Sequence, residues 1–159
     1  MTNLLDLTTY IVDYLRGTIP TPHAGGVNWI YSDYPRYDAT FPRISVTQNT
    51  GSLVDIAIGE ALDEGQTGQL AVIEYDIDVW VKVDDRMTVG VSTYVGTKVR
   101  EYLADQVIVK MCGAKAYFKA QYGVLDIEIT SINTVPLDED NMIHRKTIGV
   151  KFTFIYEDE

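Results

Sequence analysis

The stretch Ile73-Glu74-Tyr75-Asp76-Ile77-Asp78-Val79-Trp80-Val81-Lys82-Val83 decides the fold. Apolar side chains at every odd position alternate with Glu74, Asp76, Asp78, Trp80 and Lys82. That period of two predicts a long strand with one buried face and one wet face. Trp80 stands out on the polar face and marks it as a contact surface. Asp76 and Asp78 share that face, about 7 Å apart by strand rise. A carboxylate pair at that distance could act on a sugar, but a solvated face or a salt-bridging subunit interface is the simpler reading.

Working outward, more strands appear. Arg43 to Gln48 is short and β-branched, and Leu53 to Glu60 places Val54, Ile56 and Ile58 on one face. Asn49-Thr50-Gly51-Ser52 between them reads as a hairpin turn. The segment Ala61 to Gln69 reads as an exposed loop, and Asp84-Asp85 as a turn. Leu125, Ile127 and Ile129 alternate with Asp126, Glu128 and Thr130. Pro136 to Asn141 reads as a polar loop. Ile148, Val150, Phe152, Phe154 and Tyr156 then share one face of a last strand, Ile143 to Tyr156.

Two helices are expected. Leu4, Leu7, Ile11, Tyr14 and Leu15 recur at helical spacing, with Asp6, Thr9, Asp13 and Arg16 opposite. Thr2 or Asn3 can cap its start, and Gly17, Pro20 and Pro22 end it. The second runs from about Thr88 to Gln106, with Val91, Val95, Val99, Tyr102, Leu103 and Val107 as its stripe, and Lys98, Arg100, Glu101 and Asp105 facing away. Residues 107–123 read either as a short helix from Ala114 to Tyr122 or as a loop between Gly113 and Gly123. Short links between strands favour antiparallel pairing. The expected fold is therefore α+β, a mainly antiparallel sheet with amphipathic helices packed on one face.

Residues 17–42 break the pattern. They hold four of the five prolines, three glycines and the aromatics Trp29, Tyr31, Tyr34, Tyr37 and Phe41. So long a connection is often functional. The aromatics suit either a cover for the sheet edge or a contact arm, because Tyr and Trp bring large area at low entropic cost.

The chain has 159 residues, the size of one domain, 1–159. Hydrophobic residues at 46% and charged residues at 23% exclude a disordered chain or a coiled-coil rod. No apolar run is long enough to span a bilayer. No basic segment precedes an apolar one, so no signal peptide is expected. A formal charge of −10 repels phosphate backbones and anionic lipids. Asp outnumbers Glu by 15 to 8, which also suits concentrated salt and a halophilic host. The single cysteine, Cys112, excludes an internal disulfide, and its apolar neighbours predict a small core residue.

Catalytic motifs do not emerge. His144 reads as a satisfied or half-exposed strand histidine and His23 as an exposed loop residue; neither has metal-ligand spacing. Gly90 to Lys98 fails the phosphate-loop pattern in both spacing and order. No nucleophile elbow occurs, and Cys112 has no sequence partner. Asp84-Asp85 and Asp138-Glu139-Asp140 could hold a hard cation if their loops met, but solvated turns are the simpler reading. Tyr75 and Tyr102 read as core residues rather than as part of a ligand pocket. No cofactor and no metal are expected.

The order of pieces carries a resemblance. An N-terminal helix precedes an arm ending Phe41-Pro42-Arg43-Ile44-Ser45-Val46, the strand 73–81 and a helix from Val91 to Leu103. Then come Asp126-Ile127-Glu128-Ile129, the Pro136-Leu137-Asp138-Glu139-Asp140 loop, Arg145 and the strand ending Phe152-Thr153-Phe154-Ile155-Tyr156. Across residues 1–157 this arrangement resembles the tail-terminator (tail-completion, head–tail joining) proteins of long-tailed viruses and phages.

That resemblance implies a non-enzymatic virion protein at the tail–neck junction. It implies a homo-oligomeric ring, a hexamer, that ends tail-tube polymerisation. Its partners are then the tube protein, a neck or connector protein, and genomic DNA passing through an acidic lumen without specific binding; no membrane is involved. Interface candidates are Trp29, Tyr31, Tyr34, Tyr37, Asp76, Asp78, Trp80, Asp138, Glu139 and Asp140, with the loop Glu60 to Gln69. Rival readings are a head–tail stopper, adaptor or tube subunit, or a small ligand-binding or enzymatic α+β domain.

Overall fold

A computed structural model describes residues 4–26, 28–36, 39–55 and 68–157. Its elements are α1 (Leu4–Thr18), β1 (Ile30–Tyr31), β2 (Arg43–Asp55), β3 (Gly68–Lys82), β4 (Arg86–Val89), β5 (Ser92–Val95), α2 (Thr97–Cys112), α3 (Lys115–Tyr122), β6 (Val124–Asp138) and β7 (Ile143–Glu157). A five-stranded sheet runs β1-β2-β3-β7-β6. Only β1 pairs parallel, to β2; every other neighbour is antiparallel. The helices pack against one face, so the α+β expectation holds.

The alternating stretch is the central strand β3. Its odd residues Ile73, Tyr75, Ile77, Val79 and Val81 are buried under the helices beside Ile148, Val150, Phe152 and Phe154 of β7. From α1 come Leu7, Ile11 and Leu15, and from α2 Val99, Leu103, Val107 and Met111. Each such side chain contributes about 1.5–3 kcal/mol when fully buried. The Tyr75 hydroxyl, inside this apolar layer, shares a 2.8 Å hydrogen bond with Thr8, which ties α1 to the sheet. Tyr10 stacks on Tyr122 at 3.7 Å and ties α1 to α3. Tyr102 is partly buried against the same core, so both tyrosines read as core residues do pack there.

Several local expectations need correction. The turn signal at 49–52 makes no hairpin: β2 continues through it, and Asn49 is absorbed as a bulge between Gln48 and Thr50. The long β3 offers paired positions on both sides of that bulge, which makes continued pairing better than a turn. At Gly51 an added Cβ would lie 2.5 Å from Ile73 Cδ1, so a larger residue there would push the end of the Ile73 side chain aside. The expected strand residues Ile56 to Glu60, and most of the expected loop 61–69, lie outside the described residues, as do the cap candidates Thr2 and Asn3.

The second helix starts nine residues later than the periodicity suggested. Residues 86–95 form the hairpin β4–β5, and Val91 sits at its fully exposed tip. Val91 and Val95 mimic a helical stripe by spacing alone, but the run Thr88-Val89-Gly90-Val91-Ser92-Thr93 is β-branched around a glycine at φ +62°. Gly96, at φ +57°, then opens α2. That helix extends to Cys112, which is exposed and not a core residue; the buried positions are Val107 and Met111. Ala114 to Tyr122 settles as helix α3, closed by Gly123 in the left-handed region. Pro136 belongs to strand β6, not to a loop, because β6 is an edge strand where a missing N–H costs little.

No described helix is long and apolar enough to cross a membrane.

Candidate interface

The sheet face turned away from the helices carries the residues singled out from the sequence. Its rows run across the strands. Ser45, Asp78 and Thr147 are aligned on β2, β3 and β7, and Arg43, Trp80 and Arg145 form the next row. Asp78 lies here yet is fully buried, as is Ser45. The expectation at Asp78 is a solvated face or a salt-bridging subunit interface; instead the carboxylate is buried and its salt bridge lies within the chain, which is a correction. The cause is a lid of side chains. Arg145 Nε donates to Asp78 Oδ1 at 2.9 Å, and the Thr147 hydroxyl donates to the same oxygen. The Arg145 guanidinium lies 4.5 Å from the Trp80 ring centre and 5.2 Å from that of Tyr34. Trp80 Nε1 donates to Ser45 Oγ at 2.8 Å. Asp78 Oδ2 is left buried with no partner.

Burial works against the Arg145 charge, but the Asp78 carboxylate more than offsets it, and the guanidinium pKa stands above its ordinary value. Asp76 is held above the usual carboxylate range, first by burial and then by the charge on Asp78. Asn49 Nδ2, donating to Asp76 at 3.4 Å, works in the other direction.

The arm divides into a buried and an exposed part. Trp29 is 3% exposed and packs in the core, so it anchors the arm and presents no free surface. Tyr34 is 53% exposed and rests edge-on against Trp80 at 5.6 Å. Tyr31 is half-buried at the sheet edge. Tyr37 lies outside the described residues. His23 is half-buried rather than exposed, because its Nε2 reaches the Pro42 carbonyl at 2.8 Å.

The acidic loops turn out to be turn-formers. Asp85 Oδ2 accepts from the Lys82 amide at 2.8 Å, and burial raises its pKa. Asp138 Oδ1 accepts from the amides of Asp140 and Asn141, which closes the β6–β7 turn and lowers the Asp138 pKa, the Asn141 side chain contributing most. Glu139 and Asp140 remain exposed at its tip. Among the described residues no three His, Cys, Asp or Glu side chains gather to hold a metal ion.

Sequence reasoning missed two features. A groove of about 530 Å³ lies between α2, the β4–β5 hairpin, β6 and β7, lined by Tyr94, Glu101, Asp105, Ile132, Lys146 and also Tyr102, which the sequence reads as core rather than as part of a pocket. Glu101, expected to face solvent, accepts from Lys146 and Arg100, and the Lys146 contact lowers its pKa most. His144 stands on the helix side of β7, half-buried, its pKa lowered by burial and by Arg100. The second missed feature is the open edge of β6. All fifteen residues of this strand lie at the end of the sheet, with Leu125 47%, Ile132 51% and Leu137 36% exposed. The alternation at 125–132 signalled the strand; which strand would be outermost depends on long-range pairing.

No protein-family model matches the chain, and no match is found among curated proteins.

Proposed function

We propose that this protein is a structural virion component of the tail-terminator kind, which closes into a ring through the edges of its sheet. The observation that carries the reading is the open β6 edge. Monomeric proteins blunt such edges with short strands, charges, prolines, bulges or covering elements, and β6 itself carries Asp126, Glu128, Pro136 and three register shifts. Here fifteen residues stand unpaired on their outer side among the described residues, with three large apolar side chains exposed.

The opposite edge complements it. β1 covers only Ile44 and Ser45, which leaves β2 open from Val46 onward among the described residues. Within the sheet β6 runs antiparallel to β2, so β6 of one copy meets β2 of the next in antiparallel sense. Such a head-to-tail contact closes into a ring when the rotation permits and makes a filament when it does not. The exposed Tyr34 and the half-buried Trp80 lie on the helix-free face of the sheet, which such a ring turns to its lumen or its outside.

Light scattering at low and molar salt, with negative-stain imaging, tests the reading. A closed six-fold ring is expected. Long filaments would make the chain a tube subunit instead, and a monomer at every concentration would overturn the proposal.

A further inference from the structure

At the β1 edge two arginines flank one ring. Arg16 reaches from α1 on the helix side, and Arg43 from β2 on the other side. Their guanidinium carbons lie 5.4 Å and 4.5 Å from the centre of the Tyr31 ring. Arg16 Nε and Nη2 both donate to the Ile30 carbonyl, and Arg43 Nε donates to the Thr40 carbonyl. Most of their N–H groups stay free. The ion pairs among the described residues use Arg100, Lys115, Arg145, Lys146 and Lys151, so neither of these arginines is paired with a described carboxylate. In a chain of net charge −10, two half-buried guanidiniums at one edge, with no ion pair among the described residues, form a basic patch. Paired forks of this kind suit carboxylates.

The chain carries a matching acidic feature at its other edge. Glu139 and Asp140 project from the tip of the β6–β7 turn, while Asp138 is committed to holding that turn. Register places the two features at different heights along the strands. Arg43 is in one row with Trp80, Arg145 and Val135, Tyr31 is level with Ser45, Asp78, Thr147 and Asn133, and the turn starts only after Asp138, which pairs with Ile143 opposite Lys82. One patch is thus at the β1 edge and the other past the end of β6. Neighbours joined through them are staggered along the strands by roughly 10–20 Å, which sets β6 of one copy beside the part of β2 beyond Ser45 that β1 leaves open.

We infer that Arg16, Tyr31 and Arg43 of one copy receive Glu139 and Asp140 of the next, as the ionic clamp of a head-to-tail contact. The inference rests on the ring reading and names the charged half of its contact. A second copy is favoured over a phosphate backbone because the whole chain repels polyanions, whereas each copy supplies its own acidic tip.

The test uses the full chain and compares wild type, Arg43→Glu, the pair Glu139→Lys and Asp140→Lys, and all three together, by light scattering across a dilution series. Arg43 is chosen because Arg16 also holds the arm to α1. Circular dichroism checks that each variant is folded. Arg43→Glu and the acidic pair should each raise the concentration at which rings fall apart by about tenfold, as expected for reversing exposed pairs. The triple variant should recover most of that loss, and wild-type rings should loosen as salt rises. Rings that persist unchanged in Arg43→Glu would refute the clamp and leave the ring reading standing. The same holds for a triple variant no better than its parts. If Arg43→Glu instead loses only retention on duplex DNA at low salt, the patch serves phosphate and the clamp is refuted. A wild type that never assembles removes both the ring and the clamp.

Discussion

Removing the Arg145 guanidinium gives the sharpest view of how the outer sheet face is built. Asp78 is fully buried, and Arg145 Nε, 2.9 Å from Oδ1, supplies its only counter-charge among the described residues. Arg145→Ala leaves a carboxylate under Trp80 and Tyr34 with Thr147 as its sole side-chain donor. Stripping one partner from a buried pair costs about 3–5 kcal/mol. The Arg145 side chain is itself 27% exposed, so water entering the gap brings that cost to the lower end. Loss of the stacking on Trp80 adds about 0.5–1 kcal/mol. The expected destabilisation is about 3.5–4 kcal/mol, which lowers the urea midpoint by about 2 M at a typical slope of about 2 kcal/mol/M. Adding Asp78→Asn removes the orphaned charge, so the double variant should be no less stable than Arg145→Ala alone, with a coupling of about 1.5 kcal/mol or more. A single variant within about 0.5 kcal/mol of wild type, with an additive double, would refute the reasoning, because Asp78 would then be satisfied without Arg145.

Other consequences follow from the same geometry. The folded-state pKa of Asp76 is raised, so its charge destabilises the fold at neutral pH, and that penalty disappears as pH falls through the folded value. Asp76→Asn should therefore raise the urea midpoint at pH 7 and bring no gain well below the unfolded value near pH 4; a loss of stability at pH 7 would contradict this. Glu101 has the opposite sign: its lowered pKa stabilises the fold above the unfolded value, and that contribution fades in acid. Glu101→Gln should thus narrow the difference in thermal midpoint between pH 7 and pH 3. Gly96→Ala should cost about 2 kcal/mol, because alanine is strained at φ +57° and its Cβ would lie 2.8 Å from the Val83 carbonyl oxygen. Ile132→Lys, at a half-exposed edge position, should leave the thermal midpoint of the monomer unchanged while weakening assembly, as read by light scattering.

What could be read from the chain depended on whether the signal was local. Alternation identified β3 and β7, because each buries one face against helices for most of its length. Helical spacing identified α1 for the same reason. The hairpin β4–β5 was misread because valines at 91 and 95 fit either period, and only the glycine conformation separates them. The signal at Asn49-Thr50-Gly51-Ser52 was overridden by pairing with β3, contributed by residues 72–74 further along the chain. Burial of Asp78 was not legible either. Its partner Arg145 is 67 residues distant and Tyr34 lies 111 residues before Arg145, so the lid exists only after the sheet is assembled. Of the arm aromatics, composition could not tell the anchor Trp29 from the exposed Tyr34; the difference is that Trp29 precedes the two residues that pair with β2.

Amide hydrogen exchange along β6, followed as protein concentration rises, tests the central claim most directly. The β6 amides not bonded to β7 should exchange quickly in dilute protein and slow together as the ring forms, while β3 and β7 stay unchanged. Exchange along residues 124–138 that is independent of concentration, in protein that does or does not oligomerise, would contradict the claim that this edge is where one copy joins the next.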